Sequence, residues 1–126
     1  MSITINDLIA FAKSKSAPSN TEIETRCIIS RAYYAAYHCA NNFHLTLSTP
    51  GYHPKNPTGM HATLIYQLIN PSIPRTDPDY SKSKSIGYIL QGLHPIRKNA
   101  DYELNLKITL NEAKSAIVET EKLVAK

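Results

Sequence analysis

Six of the chain's eight prolines and two of its four glycines fall in two short stretches, residues 48–59 (STPGYHPKNPTG) and 70–78 (NPSIPRTDP). Proline fixes φ and lacks a backbone donor, and glycine loosens the chain, so both stretches read as loops. The rest is nearly free of these residues and carries apolar side chains at a helical period. No segment alternates every two residues with β-branched enrichment, so no strand is expected. Punctuation of this kind leaves one solution: helices joined around two loops, an all-α bundle of about five helices.

The spacing predicts helix 1 over 6–15, with Thr4 and Asp7 at capping-box spacing and Leu8, Ile9, Phe11 and Ala12 as its apolar stripe. Helix 2 is predicted over 20–44, opened by Ser19 and Glu22. Ile28, Ala32, Ala35, Cys39 and Phe43 form one face, and Ile29, Tyr33, Ala36 and Ala40 an adjacent one. A face this wide belongs to a central helix, and its alanines let neighbours approach closely. Helix 3 covers 60–69. Helix 4 starts at Asp77-Pro78, an N-cap acid before proline at the first helical position. Its stripe is Ile86, Ile89, Leu90 and Leu93, with a kink or restart expected at Pro95. Helix 5 opens with Thr109 and Glu112, again a capping-box spacing.

At 126 residues the chain reads as a single domain over 1–126 that buries about two-thirds of its unfolded surface, without need of a metal or disulfide. Fourteen basic against ten acidic residues give a net charge of +4, which permits contact with nucleic acid without requiring it. No apolar run is long enough for a membrane span, and the N-terminus lacks a charged region followed by an apolar core, so no secretory signal is expected. Cys27 and Cys39 are the only cysteines. On one helix they stand about 18 Å apart, whereas a disulfide needs Cα atoms within about 7 Å. Two buried thiols in a reducing cytoplasm are expected.

No phosphate loop, HExxH, nucleophile elbow or metal-ligand spacing occurs, and no cofactor is implied. Two polar patches interrupt the apolar helices. In Arg31-Ala32-Tyr33-Tyr34-Ala35-Ala36-Tyr37-His38, Arg31, Tyr34 and His38 share a helical face. In Arg97-Lys98-Asn99-Ala100-Asp101-Tyr102, Arg97 follows Leu93 by four residues, which aims it toward the bundle. Asp101 follows Arg97 at ion-pair spacing. A structural reading makes the tyrosines amphipathic core residues and Arg97–Asp101 a helix-ending pair. A functional one makes Arg97 a planar fork for phosphate. His53 and Tyr52, in the proline-rich loop, read as solvated.

Taken together, Ser30-Arg31-Ala32-Tyr33-Tyr34-Ala35, Gly59-Met60-His61 before helix 3, and Arg97-Lys98-Asn99-Ala100-Asp101-Tyr102 resemble the HEPN (higher eukaryotes and prokaryotes nucleotide-binding) domains over nearly the whole chain. The resemblance implies an up-and-down bundle that forms a homodimer, with polar residues of two protomers lining a shared cleft. Many such domains are metal-independent ribonucleases of toxin–antitoxin or phage-defence systems, often paired with a nucleotidyltransferase-like antitoxin. Their sites carry an arginine followed after four to six residues by a histidine. Carried over, the arginine is Arg97. The histidine is the departure: Tyr102 follows four intervening residues, and no histidine occurs after His94. Metal-free RNA cleavage needs a base near neutral pH, a role for which histidine is suited and tyrosine is not.

Three expectations follow. In the first, the protein acts on RNA: Arg97 holds the scissile phosphate, Asp101 and Asn99 orient it, and Tyr102 or His38 handles the proton, with His94 a substitute. Arg31, Tyr34, Lys98 and Asn99 are then nucleic-acid contacts. In the second, a catalytically inactive module binds nucleotide or RNA, or docks a nucleotidyltransferase-like partner. In the third, the polar residues are structural and function resides at a partner interface.

Overall fold

A computed structural model describes residues 4–14 and 21–126. They form five α-helices and no strand: α1 (Ile5–Ser14), α2 (Glu22–Thr46), α3 (Met60–Ile69), α4 (Pro78–Tyr102) and α5 (Leu110–Val124). The sequence signals that open them are explicit. Thr4 Oγ1 accepts from the Asp7 N–H at 3.1 Å while Asp7 Oδ2 accepts from the Thr4 N–H at 3.0 Å. Thr109 and Glu112 close the same box on α5. Asp77 caps α4 through the Asp79 N–H, with Pro78 beginning the helix.

Helix α2 starts differently from the expectation. Its N-cap is Thr21, whose Oγ1 accepts from the Glu24 N–H at 3.2 Å. Ser19, expected as the cap, lies outside the described residues, as do Lys15 and Asn20 at the expected helix ends. Glu22 instead reaches across the bundle to accept from the Ile108 N–H at 3.0 Å. Helix α4 runs through Pro95 to Tyr102 as one helix, so of the kink or restart expected there no restart occurs. The proline deprives the Gln91 carbonyl of its donor, but Gln91, Gly92 and Pro95 all lie on the exposed flank, where water can take that bond.

Helix directions follow from who touches whom. Arg26, near the start of α2, meets the end of α4, while Lys82, near the start of α4, stands over Phe43 near the end of α2. These two helices are therefore antiparallel. So are α3 and α4, since Ser83 donates to the Leu68 carbonyl and His61 stacks on His94. Helix α5 runs alongside α2, joined by Thr120 Oγ1 donating to the Ala32 carbonyl at 3.2 Å.

The centre is α2, which packs on α1, α3, α4 and α5. Ile28, Ile29, Ala32, Tyr33, Ala35, Ala36 and Ala40 are all buried, so both expected stripes are core. Two expectations about apolar burial fail. Phe11 remains 44% exposed because α1 is an outer helix whose deepest residue is Ala12. Cys27 is exposed on α2, on neither stripe, and only Cys39 is half-buried. The two loops are fastened to each other and to the helices. The Tyr52 N–H donates to the Asn70 carbonyl, Ser72 Oγ to the Pro50 carbonyl, and the Gly51 N–H to His44 Nε2. No helix among the described residues is long and apolar enough to cross a membrane.

Candidate functional site

Where antiparallel α2 and α4 meet the first turn of α3, polar side chains collect on an otherwise apolar contact. Tyr33 comes from the buried stripe of α2 and brings its hydroxyl to 2.8 Å from His61 Nδ1. The His61 ring lies 4.3 Å from Tyr37 and 5.8 Å from His94, and it is nearly parallel to the latter. His94 in turn lies 5.9 Å from Tyr33. One turn further along α4, the Arg97 guanidinium stands 5.6 Å from the Tyr33 ring and 5.3 Å from the Tyr102 ring. Both separations lie in the range of cation–π attraction.

Arg97 Nε lies 2.8 Å from Asp101 Oδ2, with the two side chains 13% and 23% exposed. The N–H does not point along that line, so the contact is an ion pair and the buried Nε has no hydrogen-bond acceptor. Ser30 on α2 donates to the same carboxylate oxygen at 3.4 Å. Neither terminal nitrogen of Arg97 is hydrogen-bonded to a described residue. The part of the fork that suits a phosphate is therefore unoccupied by the protein's own acceptors.

The electrostatics of this cluster favour neutral rings. Burial lowers the His61 pKa, and the positive charge of Arg97 and the neighbouring His94 lower it further. His94 is lowered by burial, then by Lys98 and Arg97. Burial raises the Tyr33 phenol, with Arg97 opposing. Both tautomers of a neutral His61 satisfy the Tyr33 contact. In one, the phenol donates to Nδ1. In the other, Nδ1–H donates to the phenol oxygen and leaves the Nε2 lone pair free to accept a proton.

The residues singled out by sequence thus divide between two places. Arg97, Asp101 and Tyr102 belong to this cluster, with Tyr102 63% exposed. Lys98 and Asn99 sit beside it on exposed α4 positions, Lys98 acting on His94 through its charge and Asn99 through a carbonyl that accepts from Arg26. Arg31, Tyr34 and His38 instead line a groove between α1 and α2. Tyr34 and His38 stack on each other at 5.9 Å, and His38 meets the cluster only at the edge of Tyr37. The tyrosine over which Arg97 lies is Tyr33, one residue and about 100° of helix away from Tyr34. His53 is exposed, and its Nδ1 bonds within the loop to the Pro54 carbonyl.

Three contributors were not legible as site residues. In the sequence His61 stands only in the Gly59-Met60-His61 entry to α3, and Tyr33 only in the Arg31–His38 patch and on a core stripe, neither with a role in a site. The available signal was a tyrosine on a fully apolar stripe, whose hydroxyl demands a partner when buried. Arg26 gave no signal. Its Nη1 donates to the carbonyls of Asn99, Ala100 and Glu103 at 3.2, 2.9 and 3.2 Å, and its Nη2 to that of Leu106, so it ties down the end of the helix that carries Arg97. Among the described residues no group of three or more His, Cys, Asp and Glu is placed to hold a metal ion. Comparison of the chain with protein-family models, with curated proteins and with solved structures finds no match.

Proposed function

We propose that this chain is a HEPN-like protein that cleaves RNA without a metal, with Arg97 as the phosphate fork and His61 as the proton acceptor. The observation that carries this reading is the gathering of two imidazoles of lowered pKa around an arginine whose terminal nitrogens have no acceptor among the described residues. It answers the departure noted in the sequence. The base lost from the position of Tyr102 is supplied from α3, and His94 rather than His38 is the second imidazole.

In the reaction, His61 Nε2 takes the proton of a ribose 2′-hydroxyl while Nδ1–H is held by the Tyr33 oxygen. The 2′-oxygen attacks phosphorus, the bond to the 5′-oxygen breaks, and the imidazolium returns its proton to that oxygen. The products are a 2′,3′-cyclic phosphate and a 5′-hydroxyl. Arg97 stabilises the charge that develops on the phosphoryl oxygens. Such a protein fits a toxin–antitoxin or phage-defence role, acting as a homodimer whose two clusters face a shared cleft. The test is incubation of purified protein with total RNA or tRNA in the presence of chelator. Cleavage should fall by at least about a hundredfold in His61→Ala and in Arg97→Ala. Intact RNA with the wild-type protein would sink the nuclease reading.

One observation favours a second reading. The Arg97–Asp101 pair holds the guanidinium between two rings, as a structural contact would. In that case the chain is a catalytically silent module that binds nucleotide or RNA, or docks a nucleotidyltransferase-like partner. Binding without turnover in the same assay distinguishes it.

A further inference from the structure

We infer that the groove between α1 and α2 is a separate nucleotide-binding slot, which takes a base against Tyr34 and a phosphate at Arg31. The inference leans on the RNA-directed reading for its ligand class and on nothing else in it. The groove has a volume of about 470 Å³, within the range of small-molecule sites. One wall is apolar, made by Ile5 and Leu8 of α1. The other carries Arg31, Tyr34, His38 and Asn42, which recur along a single face of α2.

Three features make this a slot for a flat anionic ligand. Tyr34 and His38 already stack on each other, with ring planes 18° apart, in a groove that Ile5 and Leu8 also line. A base entering the groove extends that stack, and stacking of this kind tolerates any base. Arg31 at one end is exposed and makes no ion pair among the described residues, and no acidic side chain lines the groove. Its planar guanidinium suits a phosphate. At the other end, the Asn42 amide and the His38 ring nitrogens supply donors and acceptors to base edges. The grooves flanking α5 lack this character, because each is lined by a glutamate that pairs with a lysine of the same groove: Glu121 with Lys13, and Glu119 with Lys122.

The experiment measures binding of a fluorescein-labelled single-stranded DNA of about ten nucleotides, a length that spans a typical single-strand site. It lacks the 2′-hydroxyl and cannot be cleaved. Adenosine monophosphate is titrated in parallel to separate a free nucleotide from a strand as ligand. Tyr34→Ala should weaken binding between about five- and a hundredfold, and Tyr34→Phe should restore it. Arg31→Ala should weaken binding and reduce its salt dependence by about one phosphate contact. Both positions are exposed, and unchanged thermal unfolding midpoints confirm that the variants fold. Affinities within about twofold of wild type in Tyr34→Ala and Arg31→Ala would overturn the slot, as would absence of binding to either probe. RNA cleavage with Tyr34-independent binding removes the slot and leaves the Arg97 site standing. Tyr34-dependent binding with intact RNA supports the slot and removes the nuclease reading.

Discussion

At the scale of single residues, the consequential choice is which tyrosine of α2 looks at α4. Tyr33 and Tyr34 are neighbours in sequence, yet one is buried under the Arg97 guanidinium and the other lines a different groove. Both are equally plausible partners for an arginine on paper, because a single residue step turns the helix by about 100° and the facing neighbour decides. The arginine itself sets the charge state of the site. Removing its positive charge in Arg97→Ala should raise the pKa of both His61 and His94, since the guanidinium lowers each. Titration of the imidazole proton resonances reads this directly, and unmoved values would mean the charge is screened from both rings. Tyr33→Phe is the finer probe. It leaves the ring packing and removes only the hydroxyl that meets His61 Nδ1. A stability loss of about 1 kcal/mol is expected, together with a larger fall in cleavage than in RNA affinity, because His61 loses its orienting partner.

At the scale of helices, the end of α4 is set by a residue from another helix. Arg26 gathers carbonyls from Asn99, Ala100, Glu103 and Leu106, groups left without donors where the helix stops. Arg26→Ala should cost about 1–3 kcal/mol and speed hydrogen exchange over the last turn of α4 while leaving α3 protected. Uniform loss of protection would show that Arg26 supports the bundle as a whole. The α3–α4 contact rests on a different device. A Cβ at Gly87 would lie 2.8 Å from Ile69 Cγ1 and 2.9 Å from Leu68 Cβ. Gly87→Ala should therefore force the helices apart at a cost of about 1–3 kcal/mol, despite alanine's better helix propensity. Urea unfolding measures it, and a stabilised variant would show that α3 yields easily. The capping boxes on α1 and α5, the Asp77-Pro78 start and both stripes of α2 were legible because each is a local rule of spacing. Arg26 and Gly87 were not, because their roles depend on which helix lies opposite. Whether Pro95 ends the helix or only bends it was open for the same reason, since its cost depends on whether the orphaned carbonyl faces water or core.

At the scale of the whole molecule, the helix directions create the site. Antiparallel α2 and α4 bring position 33 level with 97, and antiparallel α3 and α4 bring 61 level with 94. The fold leaves three histidines, His44 buried and His61 and His94 half-buried, all with pKa values lowered chiefly by burial. The unfolded chain holds their protons near the ordinary value of about 6.5, while the folded chain releases them until the pH is lower. Between those limits the unfolded state binds more protons, so stability is complete above about pH 6.5 and falls as pH drops through the folded values. Asp7 is held low by its hydrogen bonds to Thr4, so its contribution is complete above its ordinary value of 3.8 and is lost only as the pH falls below it. His44 has a specific part in the loss. Its Nε2 accepts from the buried Gly51 N–H at 3.1 Å, a bond that protonation removes, and Gly51 sits so close to the Gln67 backbone that no Cβ fits there. Urea midpoints at constant ionic strength should therefore decline from pH 7.5 to 5.5. In His44→Gln, whose amide oxygen can replace the acceptor without titrating, the decline should be shallower. A flat wild-type profile would show that these rings are as readily protonated in the folded chain as in the unfolded one, and an unchanged slope in His44→Gln would show the same of His44 alone.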